Sequence, residues 1–187
     1  MKSSRRRFLF GGLNWVNRIG KAATVQGEKI PQFVLRPPGA IQEEAFVQAC
    51  RKDCLQCLIS CPVYAIQKIA DPNSAAYHTA YIDPQVSGCS FCEHFPCIEA
   101  CPHGVLVNDI KPMGVAEVLD SCVTKQGEFC EICLPSCPAN HQSLFKDKKG
   151  VLQVDREKCV GCGSCVSSCF LLPKAIRIDP ADRYERI

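Results

Sequence analysis

The residues of this chain that could carry chemistry are its cysteines, 16 among 187 residues. They form four groups of four, each ending C-x3-C, and three groups continue into proline at Pro62, Pro102 and Pro138. Runs of the type C-x2-C-x2-C-x3-C-P bind 4Fe–4S clusters in bacterial ferredoxins, and the last cysteine of each run ligates the partner cluster. The spacing therefore predicts four 4Fe–4S clusters. The predicted ligands are Cys50, Cys54, Cys57, Cys61, Cys89, Cys92, Cys97, Cys101, Cys122, Cys130, Cys133, Cys137, Cys159, Cys162, Cys165 and Cys169.

Two other uses of cysteine compete with this prediction. The cysteine content is in the range of small disulfide-bonded secreted proteins, but neighbours this close in sequence cannot all pair without strain. Structural zinc sites also use C-x2-C pairs, usually two pairs separated by a longer loop. Neither alternative requires a third close cysteine or a Cys-Pro ending, so the pattern favours clusters.

The gaps inside the groups suggest which groups share clusters. Groups one and four are compact and groups two and three are stretched, so matching like with like predicts nested pairing of one with four and two with three. The nested ligand sets are Cys50, Cys54, Cys57 with Cys169; Cys159, Cys162, Cys165 with Cys61; Cys89, Cys92, Cys97 with Cys137; and Cys122, Cys130, Cys133 with Cys101. Sequential pairing, one with two and three with four, stays open because consecutive elements tend to be neighbours.

The first group has three residues between Cys50 and Cys54 where two are usual. This spacing also matches the cysteine motif of radical enzymes, whose cluster leaves one iron open. Sixteen cysteines saturate the predicted clusters, and the chain is too short for a surrounding substrate domain. The spacing could instead give a labile or three-iron cluster. His94 and His103 flank ligand cysteines but are predicted to be surface groups, because the ligand count is already complete.

The segments around the cysteines predict an α+β fold of tandem bacterial ferredoxin-like units, two 2×4Fe–4S units with small antiparallel sheets, short helices and many loops. A helix over residues 43–49 leads into Cys50, and each Cys-Pro step is predicted to open a helical turn. Strands are predicted over 65–69, 77–83 and 175–178, with a hairpin of 143–146 and 151–155. Gly161 and Gly163 are predicted to adopt positive φ in the last loop, and Gly88 to act similarly.

The predicted organisation has two parts. Residues 1–34 form a leader and linker, and residues 35–187 form the four-cluster domain, with nested units 45–70 with 150–187, and 76–145. Residues 1–29 carry a charge of +6, whereas the rest carries −3. No basic patch with interleaved aromatics predicts nucleic-acid binding, and no stretch is apolar enough to span a membrane. An acidic body suits a basic face on a redox partner.

The start of the leader, Ser4-Arg5-Arg6-Arg7-Phe8-Leu9, resembles the twin-arginine export signal. That route carries folded proteins across the bacterial inner membrane, which suits a protein whose clusters are built first in the cytoplasm. Arg18 and Lys21 interrupt the apolar segment that should follow. The alternative is therefore a basic segment that remains in the cytoplasm.

From Leu35 onward the chain resembles the ferredoxin-type MauM/NapG family of periplasmic respiration. The resemblance is carried by Leu35-Arg-Pro-Pro-Gly-Ala-Ile41, the long gap from Cys122 to Cys130, and Cys159-Val-Gly-Cys-Gly-Ser-Cys165. It implies an electron-transfer protein without a reaction of its own. Its implied partners are a quinol-oxidising membrane iron–sulfur protein and a periplasmic reductase or dehydrogenase. The alternative function is a cytoplasmic accessory or maturation factor for a molybdenum oxidoreductase.

Overall fold

Short elements separated by longer loops make up the fold. The computed structural model describes residues 34–50, 53–138 and 142–180. The helices are Glu43–Ala49 (α1), Gln56–Ile59 (α2), Pro96–Glu99 (α3) and Ser164–Ser168 (α4), and 3-10 turns lie at Val123–Gln126 and Leu134–Ser136. The strands are Ile66–Lys68 (β1), Ala80–Ile82 (β2), Gly114–Val118 (β3), Leu144–Lys146 (β4), Leu152–Val154 (β5) and Ile176–Pro180 (β6). No helix among the described residues is both long and apolar enough to cross a bilayer.

The strands form three separate antiparallel pairs. β1 pairs with β2, with Ile66 opposite Ile82. β4 pairs with β5 across the turn at Gly150, and β3 pairs with β6 over five positions. Small antiparallel sheets with short helices confirm the predicted α+β class. β3 was missed by sequence reasoning because its Gly and Ala residues weaken the local strand signal, and its partner lies about sixty residues away.

The helical turns come before the fourth cysteine of a group and not after it, as was predicted. Pro62 and Pro102 follow the fourth cysteine of their groups in simple turns, so the prediction that Cys-Pro opens a helix is wrong. The helical turn instead lies between the third and fourth cysteines, as in α2 between Cys57 and Cys61. The three-residue gap is close to the 3.6 residues of one helical turn, and proline commonly follows where a helix has ended.

Two apolar cores largely follow the order of the chain. The first contains Leu35, Phe46 and Ile82 together with buried cysteines of groups one and two and with Cys162 of group four. The second contains Val166 and Ile176 together with buried cysteines of groups three and four. Cysteine side chains are therefore part of both cores, and whatever the cysteines bind contributes to the interior.

A buried arginine fixes the start of the first core. The guanidinium of Arg36 is fully buried and forms a two-pronged ion pair with Glu43, in the first turn of α1. It also donates hydrogen bonds to Thr79 Oγ1 at 2.8 Å and to the Ala80 carbonyl at 2.6 Å, and it stacks 4.5 Å from the centre of the Phe46 ring. This one side chain joins the segment before α1, α1 itself and strand β2.

Replacing Arg36 with glutamine is expected to destabilise the loaded protein by about 3 kcal/mol or more, because it leaves the largely buried Glu43 carboxylate without its partner. The measurement is the rate at which guanidinium chloride bleaches the visible absorbance of the holo protein. The matched control is Arg177→Gln, whose ion pair with Glu117 is largely exposed and contributes little. Equal bleaching rates for the two variants would contradict the assignment of Arg36 as a structural clamp.

Candidate iron–sulfur centres

The cysteines of the first two groups surround two separate spaces. Site 1 is lined by Cys50, Cys54 and Cys57 of group one and by Cys101, the last cysteine of group two. Phe46 of α1 and Ala80 of β2 lie in the same lining. Site 2 is the reciprocal set, made of Cys89, Cys92, Cys97 and Cys61.

Groups three and four repeat this arrangement. Site 3 is lined by Cys122, Cys130, Cys133 and Cys169, and site 4 by Cys159, Cys162, Cys165 and Cys137. In every site, three cysteines come from one loop and the fourth crosses over from the neighbouring group. All sixteen cysteines line one of these four sites, and in each site the fourth cysteine comes from the neighbouring group. That these cysteines bind iron stays a prediction.

The nested pairing of groups is wrong, and the sequential alternative describes the structure. Cys61 lies with the second group rather than with Cys159, and Cys169 lies with the third rather than the first. The nested units, 45–70 with 150–187 and 76–145, are therefore not the units that share sites. The numbers of residues between cysteines within a group, which suggested nesting, determine the shape of that group's loop. They do not determine which group shares its site. Strands β1 and β2 lie between Cys61 and Cys89, and their antiparallel pairing brings groups one and two together.

Helical turns position the third cysteine of each group. Cys57 lies in α2, Cys97 in α3 and Cys165 in α4, and Cys133 begins the 3-10 turn Leu134–Ser136. α2 packs against α3, and α4 packs against the 3-10 turn. Groups one and two form one half of the domain, and groups three and four form the other. Each half thus contains two packed helical turns, and each turn positions a cysteine of one site.

Burial dominates the acid–base behaviour of the inner cysteines. Burial, and secondarily the charges of Cys50, Cys101 and Cys54, raise the pKa of Cys57 to about 12. Burial likewise raises the pKa of Cys89 to about 12 and that of Cys133 to about 11. Four neighbouring thiolates without a cationic partner are therefore unfavourable, and a bound iron–sulfur core supplies the positive charge that would hold them ionised.

Backbone amides point at several of these sulfurs. The amide of Ala65 donates to Cys61 Sγ at 3.3 Å, and the amide of Phe91 donates to Cys89 Sγ at 3.4 Å. In site 4 the amide of Ala116 donates to Cys159 Sγ at 3.3 Å. Hydrogen bonds to cluster sulfurs stabilise the more negative, reduced state and so raise the reduction potential.

Hydroxyl groups near the sulfurs were missed by sequence reasoning. Thr124 Oγ1 lies 3.2 Å from Cys122 Sγ and accepts a hydrogen bond from the Leu152 amide, which leaves its own hydrogen available for the sulfur. The buried Ser143 places both its amide and its hydroxyl 3.3 Å from Cys137 Sγ. Thr124 stands two residues after a ligand cysteine, a spacing that could have identified it. Ser143 is six residues from Cys137, and only the fold brings it close.

The donor sets suit clusters better than single metal ions. Each site brings together the sulfurs of four cysteines in a lining made mostly of apolar side chains. Among the described residues, no group of three or more Cys, His, Asp or Glu side chains is placed to hold one metal ion. A zinc site requires four ligands around one ion, whereas a cubane gives each cysteine its own iron. The residues present therefore fit 4Fe–4S clusters.

Site 1 has a fourth cysteine, which bears on the radical-enzyme alternative. Cys101 completes the set that begins with Cys50, Cys54 and Cys57, so the geometry provides a ligand for every iron and leaves none open. Residues 51 and 52 of the wider first gap lie outside the described residues. A labile or three-iron cluster at this site stays a prediction, as do the surface roles of the histidines, although His94 and His103 are exposed.

The fold and the cysteine sites define a 4Fe–4S ferredoxin-type protein. Residues 128–171 match the 4Fe-4S dicluster domain family. The ferredoxin-type protein MauM of methylamine utilization from Methylophilus methylotrophus is 34% identical, over 92% of this chain and 82% of its own. The ferredoxin-type protein NapG of Escherichia coli K12 is 31% identical, over 96% and 87%, and NapF of the same organism is 25% identical, over 72% and 79%. The chain belongs to the MauM/NapG family of ferredoxin-type electron-transfer proteins.

The iron content of double variants tests the shared sites. Replacing both Cys61 and Cys92 with alanine is expected to remove the same amount of iron as the more damaging single replacement, because both side chains line site 2. Replacing Cys61 together with Cys162 is the matched control, and there the two losses should add because the cysteines line different sites. Iron and acid-labile sulfide per purified chain are the quantities to measure. Additive losses for Cys61 with Cys92 would contradict the sequential arrangement.

Proposed function

We propose that this protein is an electron relay that carries four 4Fe–4S clusters in two tandem two-cluster units. The observation that carries the proposal is the division of all sixteen cysteines into four sites, with three cysteines from one loop and one from its neighbour in each. Each cluster would supply reversible one-electron chemistry when bound. The protein is proposed to have no reaction of its own.

The residues around each site hold the redox groups and set their environment. Nine of the sixteen cysteines are buried, which limits water at the sulfurs. Amide donors such as Ala65 and Ala116 and hydroxyls such as Thr124 tune the sulfurs individually. These contacts are fixed by short elements, so little structural change should accompany a gain or loss of charge, as a relay requires.

The proposed electron donor is a membrane iron–sulfur protein that oxidises quinol, and the proposed acceptor is a periplasmic reductase or dehydrogenase system. Membership of the MauM/NapG family supports partners of this class. The charge of −3 on residues 30–187 supports docking to basic faces on those partners, which would weaken as salt is added.

The proposed location is the periplasmic side of the bacterial inner membrane, reached by twin-arginine export. The support is the segment Ser4-Arg5-Arg6-Arg7-Phe8-Leu9, which lies outside the described residues. Arg18 and Lys21 lie in the segment that should be apolar, and they favour the second candidate. That candidate is a cytoplasmic accessory or maturation factor for a molybdenum oxidoreductase.

Anaerobic fractionation of cells separates the two candidates. The cluster-loaded protein is expected in the periplasmic or membrane fraction, and the Arg5/Arg6→Lys double variant is expected to hold it in the cytoplasm, because lysine does not replace the paired arginines of the motif. The matched control is Arg18→Lys, which changes the same residue type in the same segment outside the motif and should leave export unchanged.

Visible absorbance and immunodetection in each fraction are the measurements. Holo protein that remains cytoplasmic with or without the two arginines would contradict export, and it would favour the accessory role.

A further inference from the structure

The two halves of the protein meet where a loop of site 2 lies against a loop of site 4. The amide of Cys89 donates a hydrogen bond to the carbonyl of Cys162 at 2.8 Å. The hydroxyl of Ser164 donates to the carbonyl of Cys89 at 2.8 Å, and the amide of Gly88 donates to Ser167 Oγ at 3.2 Å. Three hydrogen bonds therefore join residues 88–89 to residues 162–167, and two of these residues are ligand cysteines.

The contact is close enough that only glycine fits at its centre. A Cβ atom on Gly88 would lie 2.2 Å from the Ser164 nitrogen and 2.5 Å from the Gly163 carbonyl carbon. These are backbone atoms, so a side chain could be accommodated only if the two loops moved apart. Gly88 does not have the positive φ that the sequence suggested, whereas Gly161 and Gly163 do. Its role is close approach of two backbones.

Contacts inside each half extend this junction into a line. Sites 1 and 2 adjoin because α2, which carries Cys57, packs against α3, which carries Cys97. Sites 3 and 4 adjoin because the turn that begins at Cys133 packs against α4, which carries Cys165. Joining the halves through sites 2 and 4 gives the order site 1, site 2, site 4, site 3.

The exposure of the cysteines agrees with this order. Site 1 has three partly exposed cysteines, Cys50, Cys54 and Cys101. Site 3 has two, Cys130 and Cys169. Sites 2 and 4 have one each, Cys92 and Cys137. The ends of the line are thus more open to a docked partner than its middle.

We propose that the contact between Gly88–Cys89 and Cys162–Ser164 is the coupling bridge between the halves, that sites 2 and 4 are the inner pair, and that electrons enter and leave at sites 1 and 3. Gly88 is a positioning residue for this bridge. The inference rests on the proposed relay function. Electrons would cross the bridge one at a time, so a cluster bound at site 2 would lose one electron as a cluster bound at site 4 gains it, or the reverse. No bond forms or breaks, and the redox partners at the two ends supply and remove the electron.

Electron paramagnetic resonance of the dithionite-reduced holo protein tests the bridge. Gly88→Ala is expected to keep the iron and sulfide content while losing the magnetic interaction between the two inner groups, because the added Cβ forces the loops apart. Gly150→Ala is the control for a strained glycine far from the bridge. Its Cβ would meet open space, and only its own turn, where φ is +79°, would be strained, so it should retain the interaction. An unchanged interaction in Gly88→Ala would overturn the proposal.

Should Gly88→Ala lose iron, Ser164→Ala decides instead, because it removes the hydrogen bond to the Cys89 carbonyl without adding bulk. A weakened inner interaction supports the bridge, and an unchanged one overturns it.

The order is tested separately with cluster-deficient variants of the otherwise native chain. Removing site 4 with Cys137→Ala should alter the resonance of site 2, whereas removing site 3 with Cys130→Ala should leave it unchanged. Both cysteines are partly exposed and lie outside the bridge. A site 2 resonance that responds equally to both removals would overturn the order. Failure of the relay proposal itself would be distinct, because the unmodified protein would then lack iron for four clusters or would not exchange electrons with a partner.

Discussion

The bond between a cysteine sulfur and iron is the constraint on which this structure depends. Each site takes three sulfurs from one loop and the fourth from another group, so a bound cluster would close the chain between cysteines up to about fifty residues apart. The elements between them cannot hold that geometry alone, since in the described part of the chain the longest helix has seven residues and each sheet has two strands. Helices and hairpins this short are marginal in water. Metal-binding energy in such a chain becomes folding energy.

The electrostatics of the sites follow from the same constraint. Sulfurs that are buried among other sulfurs resist ionisation, as the raised pKa of Cys97, about 11 and due first to burial, shows. A bound iron–sulfur core would offset the cost of ionising these sulfurs. The surrounding amides would stabilise the remaining negative charge through hydrogen bonds to the sulfurs. Among the described residues, Arg36 and Glu43 form the one strongly buried ion pair, and their charges neutralise each other beside site 1. It organises the backbone there and adds little net charge near the sulfurs.

Much of this could be predicted from the sequence because the information is local. Cysteine spacing identified all sixteen cysteines that line the four sites. Alternating apolar residues located β1, and a turn signal between two short apolar runs located the hairpin of β4 with β5. The positive φ of Gly161 and Gly163 also follows from the tight loop they form. These features depend on a few adjacent residues, which is why the pattern alone determines them.

The features that could not be predicted depend on contacts between distant segments. The partner of each cysteine group is set by strand pairing and by the packing of helical turns, neither of which the gap lengths encode. β3 is defined by its pairing with β6, and Ser143 reaches Cys137 only in the folded chain. The sequence singled out Gly88, but for a positive φ. Glycine is required there because the backbone of Ser164, 76 positions along the chain, lies too close for a side chain.

Far-UV circular dichroism before and after anaerobic removal of iron tests the central claim most directly. If coordination holds the fold, the iron-free protein loses most of its ordered secondary structure and regains it when the clusters are rebuilt. A native-like spectrum without iron would contradict the account, because the cores and the Arg36 clamp would then suffice to hold the chain in place.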